Sequence, residues 1–327
     1  MKRLIAGLLA CVMTFLVTAC SASNTIEQDA QAYPVSVNNI TVVKQPEKVA
    51  TLSVQITNLL VDLGYQDRIV AVSEEEIAKE NTQGITADEN TKSIQDDSSD
   101  EAMVSARVSI GTALVPDIEA ILGAAPDVVF TTAPMTKLQL ELLSNAGIQV
   151  MVMPAIDSLD ALYERYDAVI RVMDGAIEAD TAGAALVQAM QSDVNAIAEK
   201  LPAEKKSFLA VCTLDPYTAT PDTFEGALLS LLGTNAVSGT AYTAESLSVP
   251  ADIVLVAAPL TAENVSQSET FAGNEAVKSG SIAVFDRETM RSGTKDVVEA
   301  LRAAAQAMYP DIDFSMENVE VSDASAE

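Results

Sequence analysis

The stretch Pro116-Asp117-Ile118-Glu119-Ala120-Ile121-Leu122-Gly123-Ala124-Ala125-Pro126-Asp127-Val128-Val129-Phe130-Thr131-Thr132 carries one helix and one strand in succession. Ile118, Ile121 and Leu122 recur at helical spacing, and Gly123 falls where a C-cap would end the turn. Asp127 to Thr132 is an apolar run bounded by turn residues, the mark of a strand covered on both faces. Outward from this block the pattern repeats. Val49-Ala50-Thr51-Leu52-Ser53, Ile69-Val70-Ala71-Val72 and Ile148 to Val152 read as buried strands. Ile56-Leu59-Leu60-Leu63 and Leu138-Leu142 read as helices, with Gly64 and Gly147 as further C-caps. Such alternation predicts a parallel sheet with helices on its faces.

The second half echoes the first. Leu59-Leu60-Val61-Asp62-Leu63-Gly64 returns as Leu228-Leu229-Ser230-Leu231-Leu232-Gly233, and Asp127 and Pro134 return as Asp252 and Pro259 at the same separation. Two echoes in one order predict duplicated lobes. Between them Ala182, Leu186, Met190, Val194, Ile197 and Leu201 form one apolar stripe, which Asp180 or Thr181 can cap and Pro202 closes. A helix of that length is a stiff strut between lobes and disfavours wide hinge motion. Glu74 to Ala106 is expected to be a long acidic loop, and residues 311–327 a frayed acidic tail.

Composition removes whole classes of function. The 327 residues include 47 acidic against 19 basic side chains, a formal charge of −28 that repels phosphate backbones and excludes nucleic acid as a partner. With no histidine, the Ser-His-Asp and Cys-His triads and His-ligated zinc are absent. No Gly-x-Ser-x-Gly elbow or phosphate loop occurs, so an exported hydrolase is a weak alternative. Met1-Lys2-Arg3 followed by the apolar run Leu4 to Val17 has the shape of a secretory signal. Its end, Leu16-Val17-Thr18-Ala19-Cys20, resembles the lipobox of bacterial lipoproteins, which implies a lipid on Cys20 and an extracytoplasmic protein tethered to the cell membrane. Cys11 lies in the signal, leaving Cys212 in an apolar run where it reads as a small hydrophobe.

Several blocks carry a wider resemblance. Tyr33-Pro34-Val35-Ser36-Val37 with Pro46-Glu47-Lys48-Val49, then Leu63-Gly64-Tyr65-Gln66-Asp67-Arg68-Ile69-Val70, then Gly111 and the opening stretch, come in the family's order. Thr223-Phe224 through Leu232-Gly233-Thr234-Asn235-Ala236 and Ala276-Val277-Lys278-Ser279-Gly280 complete it. From Tyr33 to Pro310 the chain resembles the substrate-binding lipoproteins of ABC importers for ferric siderophores, haem and cobalamin. The resemblance implies two α/β lobes with parallel sheets joined by one long helix, the class III binding-protein arrangement. It divides the chain into a signal (1–19), a lipidated tether (20–32), a first lobe (33–157), a helical linker (158–204), a second lobe (205–310) and a tail (311–327). It also implies an ABC permease as partner, a monomer with no intrinsic cofactor, and an iron chelate or tetrapyrrole as cargo. In its terms Glu119 and Glu245 dock the permease, each otherwise a solvated acid at a helix start.

Ligands of open α/β sheets bind beyond the carboxyl ends of strands. Those ends present Gln55 and Met135 in the first half, and Tyr217, Thr218, Arg287 and Arg291 in the second. Tyr217 offers an amphipathic ring to an organic chelate, or packs on Pro216 or Pro221. Arg287 and Arg291 fit an anionic siderophore or haem propionates, or merely offset Asp286 and Glu288. Met135 and Met290 line an apolar cleft, ligate haem, or pack. A ferric siderophore is the first choice, with haem and cobalamin open and a bare divalent metal as the alternative.

Overall fold

The computed structural model describes residues 32–38, 40–79, 107–175, 182–214, 218–237 and 249–315. In chain order the strands are β1 Val35–Val37, β2 Ile40–Val42, β3 Val49–Thr51, β4 Ile69–Val72, β5 Val108–Ser109, β6 Val128–Thr131 and β7 Gln149–Val152 in the first half. The second half adds β8 Ser207–Val211, β9 Thr234–Asn235, β10 Ile253–Ala257 and β11 Ile282–Phe285. Helices are α1 Val54–Asp62, α2 (residues 74–79), α3 Ile118–Ala124, α4 Lys137–Asn145, α5 Leu159–Asp174 and α6 Ala182–Lys200. They continue with α7 Phe224–Leu232, α8 Ala262–Ser266, α9 Glu275–Lys278, α10 Arg287–Met290 and α11 Asp296–Met308.

Two parallel sheets result, ordered β5-β4-β3-β6-β7 and β11-β10-β8-β9, and a β1-β2 hairpin precedes them. Each is covered on both faces, which is why its strands read as unbroken apolar runs. Val49, Val128 and Phe130 face one core, while Ala50, Leu52 and Val129 face α3 and α4. In the second sheet Phe208, Ala210 and Leu255 take the first side, and Leu209, Val211, Val254 and Val256 meet Val265 and Val277 on the other.

The inner core is continuous. Val49 and Phe130 of the first lobe, Tyr166 and Val169 of α5, Met190 and Ile197 of α6, and Phe208 and Leu301 of the second lobe belong to one cluster. The long helix is therefore packed along its length rather than exposed as an isolated strut. Arg302 of α11 reaches Asp193 of α6 at 3.7 Å. A second tie joins the lobes directly: Asp62 Oδ2 accepts from the Lys295 amide at 3.2 Å and the Tyr166 hydroxyl at 2.9 Å, and Lys295 Nζ pairs with Asp62 Oδ1.

The Asp127 and Asp252 echo has a structural basis. Asp127 Oδ2 accepts from the amides of Glu47 and Lys48 at 2.9 and 3.0 Å, tying the entry of β3 to that of β6. Asp252 Oδ2 accepts from the amide and hydroxyl of Ser207 at 2.7 Å each, doing the same for β8 and β10. The Leu-Gly echo differs: Gly64 takes φ +82°, whereas Gly233 is extended and the approach of Lys206 O, 2.6 Å from where a Cβ would stand, explains it.

Three expectations need correction. Gly123 lies inside α3, and Ala125 at φ +47° takes the left-handed cap. The acidic segment is not loop from its start: residues 74–79 are helical because the amides of Glu76 and Ile77 bond back to Ser73 O, and Glu76 is buried. Residues 80–106 lie outside the described residues, as do Asp180 and Thr181. The tail does not fray at 311. Phe314 is 2% exposed beside Tyr309, and Ser315 O accepts from Lys200 Nζ at 2.7 Å.

Candidate functional site

Both sheets reverse their strand order beside the first strand laid down, at β3/β6 and at β8/β10. Crevices open at such switch points, beyond the carboxyl ends of the strands. Here the two crevices face one cavity of about 400 Å³ between the lobes. Ser53 follows β3, Thr132 follows β6, and Ala155 and Ile156 follow β7; the second lobe contributes Phe224 and Glu225 at the start of α7, and Arg291 after α10. A neighbouring cavity of about 360 Å³ shares Gln55 and Arg291 with the first and adds Ala258 and Arg287.

The start of α7 is held tightly. The Thr223 hydroxyl accepts from the Gly226 amide at 3.1 Å and donates to Thr220 O at 2.9 Å. A Cβ on Gly226 would stand 1.6 Å from Thr220 O, so the turn closes only over glycine. This fixes Glu225 in the cleft wall with its side chain 3% exposed.

Glu225 organises the cations. Arg287 donates to Glu225 Oε1 from Nε at 2.9 Å and from Nη2 at 2.8 Å, and Arg291 Nε lies 3.6 Å from Oε2. Gln55 Nε2 donates to Arg291 O at 2.8 Å, which joins first-lobe and second-lobe walls. Arg165 of α5 forms the floor. It is 4% exposed, its Nη2 donates to Pro154 O, and burial holds its pKa below the usual arginine range.

The residues singled out from sequence separate clearly. Gln55 and Arg291 line the main cavity and Arg287 the adjoining one. Arg287 and Arg291 are partnered by the buried Glu225 rather than by Asp286 and Glu288 as a surface arginine would be. Met135 is corrected: it is 8% exposed and packs with Leu52, Ile121 and Val129 behind the sheet, because the turn after β6 directs it to the outer core. Met290 is wholly buried in the inner core. Thr218 is also corrected, being 2% exposed and outside the cavity lining. Cys212 is buried, which pushes its thiol up to about 11 and keeps it unreactive. Glu119 is exposed in the first turn of α3, whose N-cap is Asp117. Tyr217, Glu245 and Cys20 lie outside the described residues.

Sequence reasoning missed Glu225 and Arg165. An acid in a first helical turn reads as favoured by the macrodipole, so Glu225 gave no signal. Arg165 did: it stands three residues after Leu162 and four before Val169, on the apolar stripe of its helix. Among the described residues no group of three His, Cys, Asp or Glu side chains converges as a metal site, and no helix is long and apolar enough to cross a membrane.

Residues 49–289 match the periplasmic binding protein family, and the chain belongs to that family. It is thus a solute-binding protein of the ABC importer type rather than an enzyme. The chain is 25% identical over 313 residues to the cobalamin-binding protein of Halobacterium salinarum, covering 90% of this chain and 75% of that one. It is 23% identical over 302 residues to the uncharacterised ABC transporter substrate-binding lipoprotein YvrC of Bacillus subtilis, with 87% and 88% covered. Its fold matches the periplasmic haem-binding protein HutB of Vibrio cholerae with a TM-score of 0.61 at 19% identity, over 80% of this chain and 99% of that one.

Proposed function

We propose that this protein is a lipid-anchored extracytoplasmic receptor that captures a metal chelate or tetrapyrrole between its lobes and hands it to an ABC permease. The observation that carries the reading is the polar, arginine-bearing cleft formed where both switch points face each other. Two adjoining cavities of about 400 and 360 Å³ suit a ligand larger than an amino acid or a sugar. The cobalamin-binding and haem-binding relatives support the chelate and macrocycle class. A ferric siderophore remains the first choice on the strength of Arg287 and Arg291. Cys20 carries the lipid, and the lipoprotein among the relatives supports that anchor.

The test is a thermal-shift panel on the full chain in detergent with haem, cobalamin, ferric siderophores and bare metal salts. A cargo at a hundred times its Kd adds about 2.7 kcal/mol of stability. A shift with one chelate and none with its metal-free form supports the reading; a shift with metal salts alone overturns it. We assign docking on the first lobe to Glu119. Reversing it with Glu119→Arg is expected to abolish uptake while leaving ligand affinity unchanged, and normal uptake removes that role.

A further inference from the structure

The space between the lobes is divided. Among the described residues, the inner cavity of about 400 Å³ and the adjoining one of about 360 Å³ have two lining residues in common, Gln55 and Arg291. These same two are joined across the cleft, Gln55 Nε2 donating to Arg291 O at 2.8 Å. Further out the space is shared more widely: Asn58, Lys79, Glu288 and Ser292 line both the second cavity and a third of about 370 Å³. The boundary between the inner cavity and the rest is thus bridged by one side-chain hydrogen bond.

Backbone on both sides of that bond is fixed. Gln55 stands second in α1, whose Ile56, Leu59 and Leu60 are fully buried. Opposite it, the Arg291 amide donates to Arg287 O and Glu288 O at 3.1 Å each, which holds the end of α10. Gly293 then passes close to the first lobe. Its φ is +68°, and a Cβ there would stand 3.1 Å from Ile156 Cδ1 and 3.7 Å from Gln55 Cδ. The lobes themselves share one core and the Asp62–Lys295 pair. The half-buried Gln55 side chain, with its rotatable torsions, is the part left to move. One neutral hydrogen bond holds it against its rotamer entropy, so closed and open positions are nearly balanced.

We propose that Gln55 is a gate that sets the size of the cargo. Bonded to Arg291 O it confines a ligand to one compartment; swung away, it joins two compartments into a site for a ligand that spans both. This rests on the reading of the cleft as a chelate site. Small-molecule pockets measure roughly 300–1,000 Å³, so each compartment alone lies near the low end and the joined pair well inside the range. A tetrapyrrole or a wrapped ferric siderophore is broader than either compartment and has to displace the bridge, whereas a compact chelate does not. Rotating one side chain achieves this without turning one lobe against the other, a motion that the shared core opposes.

The test titrates the full chain in detergent with haem, cobalamin and ferrioxamine B as spanning probes and ferric acetohydroxamate as the compact one, followed by visible absorbance. Gln55→Ala removes the bridge. It is expected to bind a spanning probe roughly 2- to 10-fold more tightly than the wild type, because no hydrogen bond then has to be broken. Gln55→Asn stays polar but is too short to reach Arg291 O, and it should behave like Gln55→Ala. Spanning probes that bind no more tightly to either variant would overturn the gate and leave the chelate reading standing. An equal gain for ferric acetohydroxamate would also overturn it, since the gain would then owe nothing to size. If no probe binds wild type or variant, the chelate reading fails and the gate is judged in the ligand-free chain. There the Gln55 side-chain amide, identified by nitrogen-15 NMR through its loss in Gln55→Ala, should be protected from solvent exchange. Exchange as fast as that of an exposed glutamine would overturn the gate.

Discussion

Replacing Glu225 with glutamine asks whether the cleft wall is held by charge. Its carboxylate takes two contacts from Arg287, at 2.9 and 2.8 Å, and a looser one from Arg291 at 3.6 Å. The Glu225 side chain is 3% exposed and that of Arg287 is 23% exposed. Stripping one member from a fully buried ion pair costs about 3–5 kcal/mol. Water reaching Arg287, and the amide oxygen that glutamine retains, reduce this to about 2 kcal/mol. For a chain of this size the Tm should fall by about 3 °C. Urea unfolding of the wild type, Glu225→Gln, Arg287→Gln and the double variant isolates the pair, with an expected coupling of about 1–2 kcal/mol. A coupling below about 0.3 kcal/mol would refute the reasoning, since that is the low end of what even exposed pairs contribute, roughly 0.2–1 kcal/mol. The same variant removes the negative charge that Arg287 and Arg291 face in the cleft. Its affinity for a carboxylate-bearing ligand should rise relative to a neutral one.

Gly226→Ala should prevent α7 from starting where it does, since its Cβ would meet Thr220 O at 1.6 Å; native-like circular dichroism and an unchanged Tm would contradict the packing described. For Asp127, burial works to raise the pKa, but the Lys48 and Glu47 amides and the Lys44 ammonium outweigh it and hold the carboxyl below its usual range. A depressed carboxyl stabilises the fold above the ordinary value near ~4 and loses that contribution as pH falls through the folded value. The stability gap between wild type and Asp127→Asn should therefore close on acidification; a gap constant from neutral pH to about pH 3 would rule out this linkage. Asp62→Asn removes the charge that Lys295 pairs with and loosens the direct tie between lobes. Solution scattering should show a larger radius of gyration, and an unchanged radius would mean that the shared core alone sets the lobe spacing.

Sequence by itself determined the elements of this protein and their class. Strands covered on both faces must be apolar at every position, so β3, β4, β6 and β7 stand out as runs, each found within a residue or two of its expected bounds. Gly64 and Gly147 were legible as caps because a left-handed turn selects glycine locally, at φ +82° and +80°. Strand ends were legible too, and they brought out Gln55, Arg287 and Arg291. Tertiary structure decided the rest. The glycine of the first echo serves a turn and that of the second a close backbone approach, a difference no single letter records. Met135 and Thr218 follow strand ends like Gln55, yet both are buried, Met135 in the core behind the sheet. Glu225 looks like an ordinary helix-start charge, and Arg165, though its place on an apolar stripe marks it, shows its surroundings only in the assembled chain. Burial and partnership are properties of the assembled chain, because the desolvation and the counter-charge come from residues far apart in sequence: Glu225 meets Arg287 across 62 positions, and Gln55 meets Arg291 across 236.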